Sequence, residues 1–137
     1  MTAAARPIST GEAWLTRRGY RLSVSRRTCE AVVVLTVDGD VDTDGSRELD
    51  HKLQRILAAG NLCRLVIDLR RVGLLSDAGI RALLRAQDTG RATGIPLRVV
   101  TGDGAAGAVL DMFDARSRIP TTSDVDTACV GVFRTWP

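Results

Sequence analysis

The chain is poor in aromatic residues, with one histidine, one lysine and three cysteines among 137 residues. Each scarcity removes a class of function. Aromatics amount to 4%, whereas a nucleic-acid surface sets stacking aromatics among clustered basic groups. The net charge of +3 rests on arginines scattered along the chain, and Lys52 is the only lysine. No nucleic-acid partner is therefore expected. No apolar run approaches the ~20 residues that span a bilayer, so no membrane partner is expected either. The first ten residues contain Arg6 but no apolar leader stretch, which makes the cytoplasm the expected compartment. His51 stands beside Lys52 on a predicted helix, and no G-x-S-x-G elbow or Cys/His pair accompanies it. No catalytic residue is identified, and the chain is not expected to be an enzyme. Cys29, Cys63 and Cys129 lie too far apart for a zinc site and are too few for a disulfide framework. They read as structural thiols, or alternatively two of them form a redox-responsive pair. Neither a metal nor a cofactor is expected.

What remains suits one packed domain: 45% apolar and 26% charged residues. Residues 1–18 are rich in Ala, Thr and Arg without a period, and read as a mobile arm with a short turn near Trp14 and Leu15. Residues 19–137 form the single domain. Tyr20–Ser25 alternates as an edge strand does. Ala31–Val37 is a β-branched run typical of a buried strand, and Asp38-Gly39-Asp40 punctuates it. The short polar turn Arg27–Glu30 makes these two strands antiparallel.

Thr43 or Asp44 caps a helix to Ala59 with Leu49, Leu53, Ile56 and Leu57 on one face, and Gly60-Asn61 stops it. Leu62–Leu69 is a strand, with a turn around Val72-Gly73. Ser76 caps a helix through Thr89, with Gly90 past its end. Pro96–Thr101 is a strand, Ala105–Phe113 a helix and Ile119–Thr122 a short strand. Ser123 or Asp124 caps a last helix toward Phe133. Strands joined through helices imply right-handed crossovers. The expected fold is α/β, a mixed and mainly parallel sheet of about five strands packed with about four helices.

Two motifs suggest ligands. Asp40-Val-Asp42-Thr-Asp44-Gly45 fits the opening of a calcium loop, but the twelfth position holds His51 in place of the bidentate Glu, and a strand precedes it. The acids there favour the positive end of the following helix. Gly102-Asp-Gly104-Ala-Ala-Gly107 follows a strand and opens a helix, as a dinucleotide fingerprint does. Only about 30 residues follow it, too few for the rest of a dinucleotide fold. It reads as a Gly-rich turn in which Gly102 and Gly104 could hold a phosphate weakly.

The most informative stretch runs Leu62-Cys-Arg-Leu-Val-Ile-Asp68-Leu-Arg-Arg-Val-Gly-Leu-Leu-Ser76-Asp77-Ala78-Gly79-Ile80-Arg81-Ala82-Leu83-Leu84. A strand ending in Asp-Leu leads through a short turn to small polar residues and a glycine opening a helix. This resembles the signature of the STAS domain family, anti-sigma factor antagonist type, in which V-I-D-L is followed by a turn and D-S-S-G-L or S-S-A-G-L opening a helix. Gly39-Asp40-Val41-Asp42 matches the family's upstream G-E-L-D element. Val109-Leu110-Asp111-Met112 through Ile119-Pro120 matches its closing helix and strand. The resemblance covers residues 20–130, and its specificity lies in the spacing.

The resemblance implies a module that docks onto an anti-sigma factor with a serine-kinase fold and so regulates sigma-factor-dependent transcription. In the family the kinase phosphorylates the serine after the D, and the added charge breaks the complex. Here Ser76 takes the D place, Asp77 the acceptor place and Ala78 the second hydroxyl place. Two readings of Asp77 stand side by side. One is helix-start chemistry. The other is a permanent phosphomimic, or docking without a phosphorylation switch. Ser76 as acceptor in a shifted register is a further alternative.

The expected docking residues are Asp40, Asp42, Thr43, Ser76, Asp77, Ala78, Gly79 and Arg81, on two loops that follow neighbouring parallel strands. The chain is expected to be a monomer or weak dimer. The rival reading is a ligand- or redox-sensing STAS domain that binds a phosphate-bearing small molecule at the glycine turn.

Overall fold

Three β-branched or leucine-rich segments build the centre of the sheet, and the computed structural model places them edge to edge. It describes residues 8–9, 15–17, 20–27, 31–112 and 118–130. The strands are β1 (Ile8–Ser9), β2 (Leu15–Arg17), β3 (Tyr20–Arg27), β4 (Val32–Val41), β5 (Arg64–Leu75), β6 (Leu97–Val100) and β7 (Thr121–Thr122). The helices are α1 (Thr43–Ala59), α2 (Asp77–Thr93), α3 (Ala105–Met112) and α4 (Val125–Val130). β4, β5, β6 and β7 run parallel in that order, and β3 pairs antiparallel with β4. The five strands β3–β7 and the four helices follow the expected order. Within the expected arm, β1 and β2 pair antiparallel with the two ends of β3. Trp14, Cys29, the turn at 28–30, Phe113 and Phe133 lie outside the described residues.

Alternation along the strands divides the core between the two sheet faces. Val33, Leu35, Val37, Leu65, Ile67, Leu69, Leu97 and Val99 point to one face, where Leu49, Leu53 and Leu57 of α1 and Ile80, Leu83 and Ala86 of α2 cover them. Val32, Val34, Val66 and Val100 point to the other, against Ala128 and Cys129 of α4. Arg64 is fully buried on the α4 side and donates from Nη1 to the carbonyls of Ala128 and Cys129. An arginine with an apolar stem and a forked head thus fastens a helix of only six residues to the sheet.

Four element ends differ from the sequence expectation. β4 continues through Asp38-Gly39-Asp40 to Val41, and β5 through Val72-Gly73 to Leu75. The pairing shifts register between Thr36 and Asp38 and again between Gly39 and Asp40, each time with one extra residue on β5. Bulges therefore carry the ladder past residues that look like turns. Gly90 lies inside α2, which ends on a left-handed Gly94. A Cβ at Gly90 would collide with the Ile95 carbonyl oxygen, and that same region holds the bond from Ile95 N to Gly90 O at 2.8 Å. The glycine permits the chain to fold back tightly against the helix. Finally, Asp42 caps α1, where Thr43 or Asp44 was expected.

Candidate functional site

The ladder between β4 and β5 reaches Val41 and Leu75, the last residues before the caps of α1 and α2. Both helices therefore start side by side at one end of the sheet. Ser76 N donates to the Val41 carbonyl at 3.0 Å, tying the second helix start to the first. Asp42 accepts from Gly45 N at 2.8 Å, and Ser76 Oγ accepts from Gly79 N at 3.2 Å. Each cap satisfies one of the amides left over at a helix start.

The side chains also join the two starts. Ser46 Oγ donates to the Asp42 carbonyl at 2.7 Å and lies 2.8 Å from Ser76 Oγ. A serine has one hydroxyl hydrogen. Ser46 has given its own to Asp42, so Ser76 is the donor in the serine pair. The relay runs from Ser76 to Ser46 to the backbone of Asp42. It spends the hydroxyl hydrogen of Ser76 and one of its lone pairs.

Around this relay the expected residues divide into surface and support. Asp40, Asp42, Thr43, Asp77 and Arg81 are exposed, and Ser76 and Ala78 are half-buried. Gly79, expected at the docking surface, is buried. A Cβ there would sit 2.6 Å from Leu75 Cδ1 and 3.3 Å from Ser46 Oγ, so its role is close packing under the helix start. Asp77 occupies the first helical position, where a carboxylate meets the positive end of the helix. Among the described residues no ion pair holds it. Asp42 accepts at the cap through Oδ1, and the Asp40 side chain lies over Gly73.

Two residues at this end were not singled out from the sequence. Ser46 is 2% exposed. Its signal was present, because residues 46, 49, 53 and 57 share one face of α1 at helical spacing. Leu74 is 50% exposed between Asp40, its partner in register, and Ser76. It offers an apolar contact within an otherwise charged surface. Its place in a bulged extension of β5 could not be read from an apolar run.

The glycine turn packs closely onto β5. A Cβ on Gly102 would meet the Arg70 stem at 3.1 Å, and one on Gly104 the Arg70 carbonyl at 2.9 Å. Gly104 N is committed to the Thr101 carbonyl at 3.0 Å. Gly102 and Gly104 therefore let the turn pack onto β5. The Arg70 guanidinium grips Asp68 through both carboxylate oxygens, at 3.0 and 2.9 Å. That hydrogen-bonded pairing raises the Arg70 pKa above its ordinary value. Asp124 caps α4, accepting from Thr127 N at 2.7 Å, and that backbone bond lowers its pKa. Cys63 is exposed and Cys129 is buried.

A polarised α/β sheet thus carries two helix starts locked together at its strand tips, with an exposed acid beside them. The sequence matches the family described as "Mlab, STAS domain" over residues 24–116, and the chain belongs to the STAS domain family. No curated protein matches it. Among solved structures it is similar to an anti-sigma factor antagonist from Mycobacterium paratuberculosis, with 21% identity, a TM-score of 0.70, and 86% of this chain and 97% of that chain covered. The anti-sigma factor antagonist SpoIIAA in its unphosphorylated form matches with 12% identity and a TM-score of 0.63, over 82% and 97% of the two chains. The protein TM1081 matches with 11% identity and a TM-score of 0.67, over 77% and 84%. At these identities the likeness is one of fold.

Proposed function

We propose that this chain is an anti-sigma factor antagonist-like binding module. It docks onto an anti-sigma factor with a serine-kinase fold and so regulates sigma-factor-dependent transcription in a bacterial cytoplasm, without ordinary serine phosphorylation. The observation that carries the reading is the exposed Asp77 at the first position of α2, beside a Ser76 whose hydroxyl is committed to the relay. A phosphate would bring about −1.5 to −2 charges to that spot. Asp77 brings a single fixed charge, so docking there has no hydroxyl on which to be switched. Two of the similar folds are described as anti-sigma factor antagonists, which supports the reading as a binding module of that kind.

The test is a binding panel of kinase-type anti-sigma factors against the wild type, Asp77→Ser and Asp77→Arg, with mass measurement after incubation with ATP. The wild type binds one member and gains no phosphoryl group. Asp77→Ser gains one, and Asp77→Arg weakens binding by about tenfold or more, as expected for reversing a charge within a contact. Equal binding by all three proteins, or a phosphoryl group on Ser76 of the wild type, overturns the proposal. Both substitutions leave the cap on Ser76 in place, so stability should change by no more than about 1 kcal/mol.

A further inference from the structure

α1 and α2 cover the same sheet face and point the same way, because each follows one of two neighbouring parallel strands. A groove of about 420 Å³ runs between them from the helix starts. Ala78 and Ala82 lie along it at one-turn spacing, with Arg47 and Asp50 on the α1 side and Arg81 and Arg85 on the α2 side. Asp50 and Arg85 face each other at 3.4 Å and offset one another. Arg47 and Arg81 are exposed, and among the described residues no ion pair holds either. Asp44 and Glu48 line a separate cleft with His51 on the outer side of α1, where Arg47 also reaches. The groove between the helices is therefore lined by three arginines against one aspartate.

We propose that this groove takes an acidic helical segment of the protein that docks at Asp77. The inference rests on the reading of that surface as a protein-docking site, and Arg81 joins the two. Charge complementarity selects the occupant, since an arginine fork pairs with a carboxylate through two parallel hydrogen bonds. Its shape follows from the two helices. Ala78 and Ala82 carry no bulk beyond Cβ, so a third helix can lie close over them. Arg47 and Arg81, one on each wall of the groove, are the cations left to meet the occupant's carboxylates, while Arg85 is taken up by Asp50.

The experiment titrates the isotopically labelled full chain with an alanine-based peptide of about 16 residues, long enough to hold a helix in water, bearing glutamates at i and i+4. A lysine counterpart serves as control. The glutamate peptide produces saturable amide shifts in residues 43–50 and 78–85 that weaken as salt is raised. The Arg47→Glu, Arg81→Glu double variant lowers its affinity by about tenfold or more. Absence of a saturable shift, equal binding of the lysine peptide, or unchanged affinity of the double variant overturns the proposal. The two proposals fail separately. A chain that takes the glutamate peptide but no anti-sigma factor keeps the groove and loses the partner. One that binds an anti-sigma factor equally well with both arginines reversed keeps the partner and loses the groove.

Discussion

The relay between Ser76 and Ser46 predicts a measurable coupling between two helix starts thirty residues apart in sequence. Ser76→Ala removes the cap of α2 and strands Gly79 N, a loss of about 1 kcal/mol within a range of roughly 0.5–2. Ser46→Ala removes the acceptor of the Ser76 hydroxyl and the donor to Asp42. The Asp42 carbonyl still receives Ser46 N at 2.8 Å, so it is not left bare. The expected loss is about 1 kcal/mol, offset in part by the better helix propensity of alanine, about 0.5 kcal/mol. That offset cancels in the double-mutant cycle, because it occurs with and without Ser76. The serine–serine bond is lost in each single variant and can be lost only once. The double variant should therefore cost less than the sum by about 0.5–1 kcal/mol. Urea unfolding of the four proteins measures this, with the denaturant slope as a check that the unfolded states match. Costs that add to within about 0.3 kcal/mol would refute the relay. Amide exchange supplies a second readout: Ser46→Ala should speed exchange at Gly79 and Ile80, on the other helix.

Three further outcomes follow from the packing. Gly90→Ala should destabilise by about 1–3 kcal/mol in urea unfolding, although alanine improves helix propensity by up to about 1 kcal/mol; a stabilised variant would mean that the Ile95 carbonyl does not approach so closely. Arg64→Leu strips the donor from the carbonyls of Ala128 and Cys129, and should cost about 1–3 kcal/mol with the largest rise in amide exchange confined to α4. Asp124 has a folded pKa below the ordinary 3.8 because Thr127 N binds its charged form. Its contribution is present above 3.8 and is lost as pH falls through the lower folded value, so a carboxyl titration followed by NMR should place its midpoint below 3.8, and Asp124→Asn should abolish that step.

Much of the fold was legible because periodicity carries it. The leucines at 49, 53 and 57 share one helix face, and the valine run at 32–34 divides between the two buried sheet faces. The strand ends were not legible, for a physical reason: Asp38-Gly39-Asp40 and Val72-Gly73 carry turn residues, and only the bulged pairing between them converts turn chemistry into strand. The end of α2 was misread for a similar reason. Gly90 is a stop signal in isolation, but its missing side chain serves a close approach by Ile95 five residues on. At the site, Asp77 and the proximity of the two loops could be read directly from the chain. The relay could not, since it depends on Ser46 and Ser76 meeting across a helix pair. The arginine-lined groove was hidden likewise: Arg47, Arg81 and Arg85 are scattered in sequence and converge only because α1 and α2 run parallel.

The extended ladder between β4 and β5 also bears on how fast and how tightly a partner can bind. Both helix starts issue from paired backbone with no loop between strand and cap, so the surface exists before anything arrives. A ready-made face avoids the backbone ordering entropy that a floppy loop would surrender on binding, roughly 1–2 kcal/mol for each residue fixed. Association should then proceed at rates set by diffusion and charge, with little conformational change along the way. Charge reversals at Asp77 and Arg81 should accordingly be felt in the rate of association, in a salt-dependent way, as well as in how long the complex lasts.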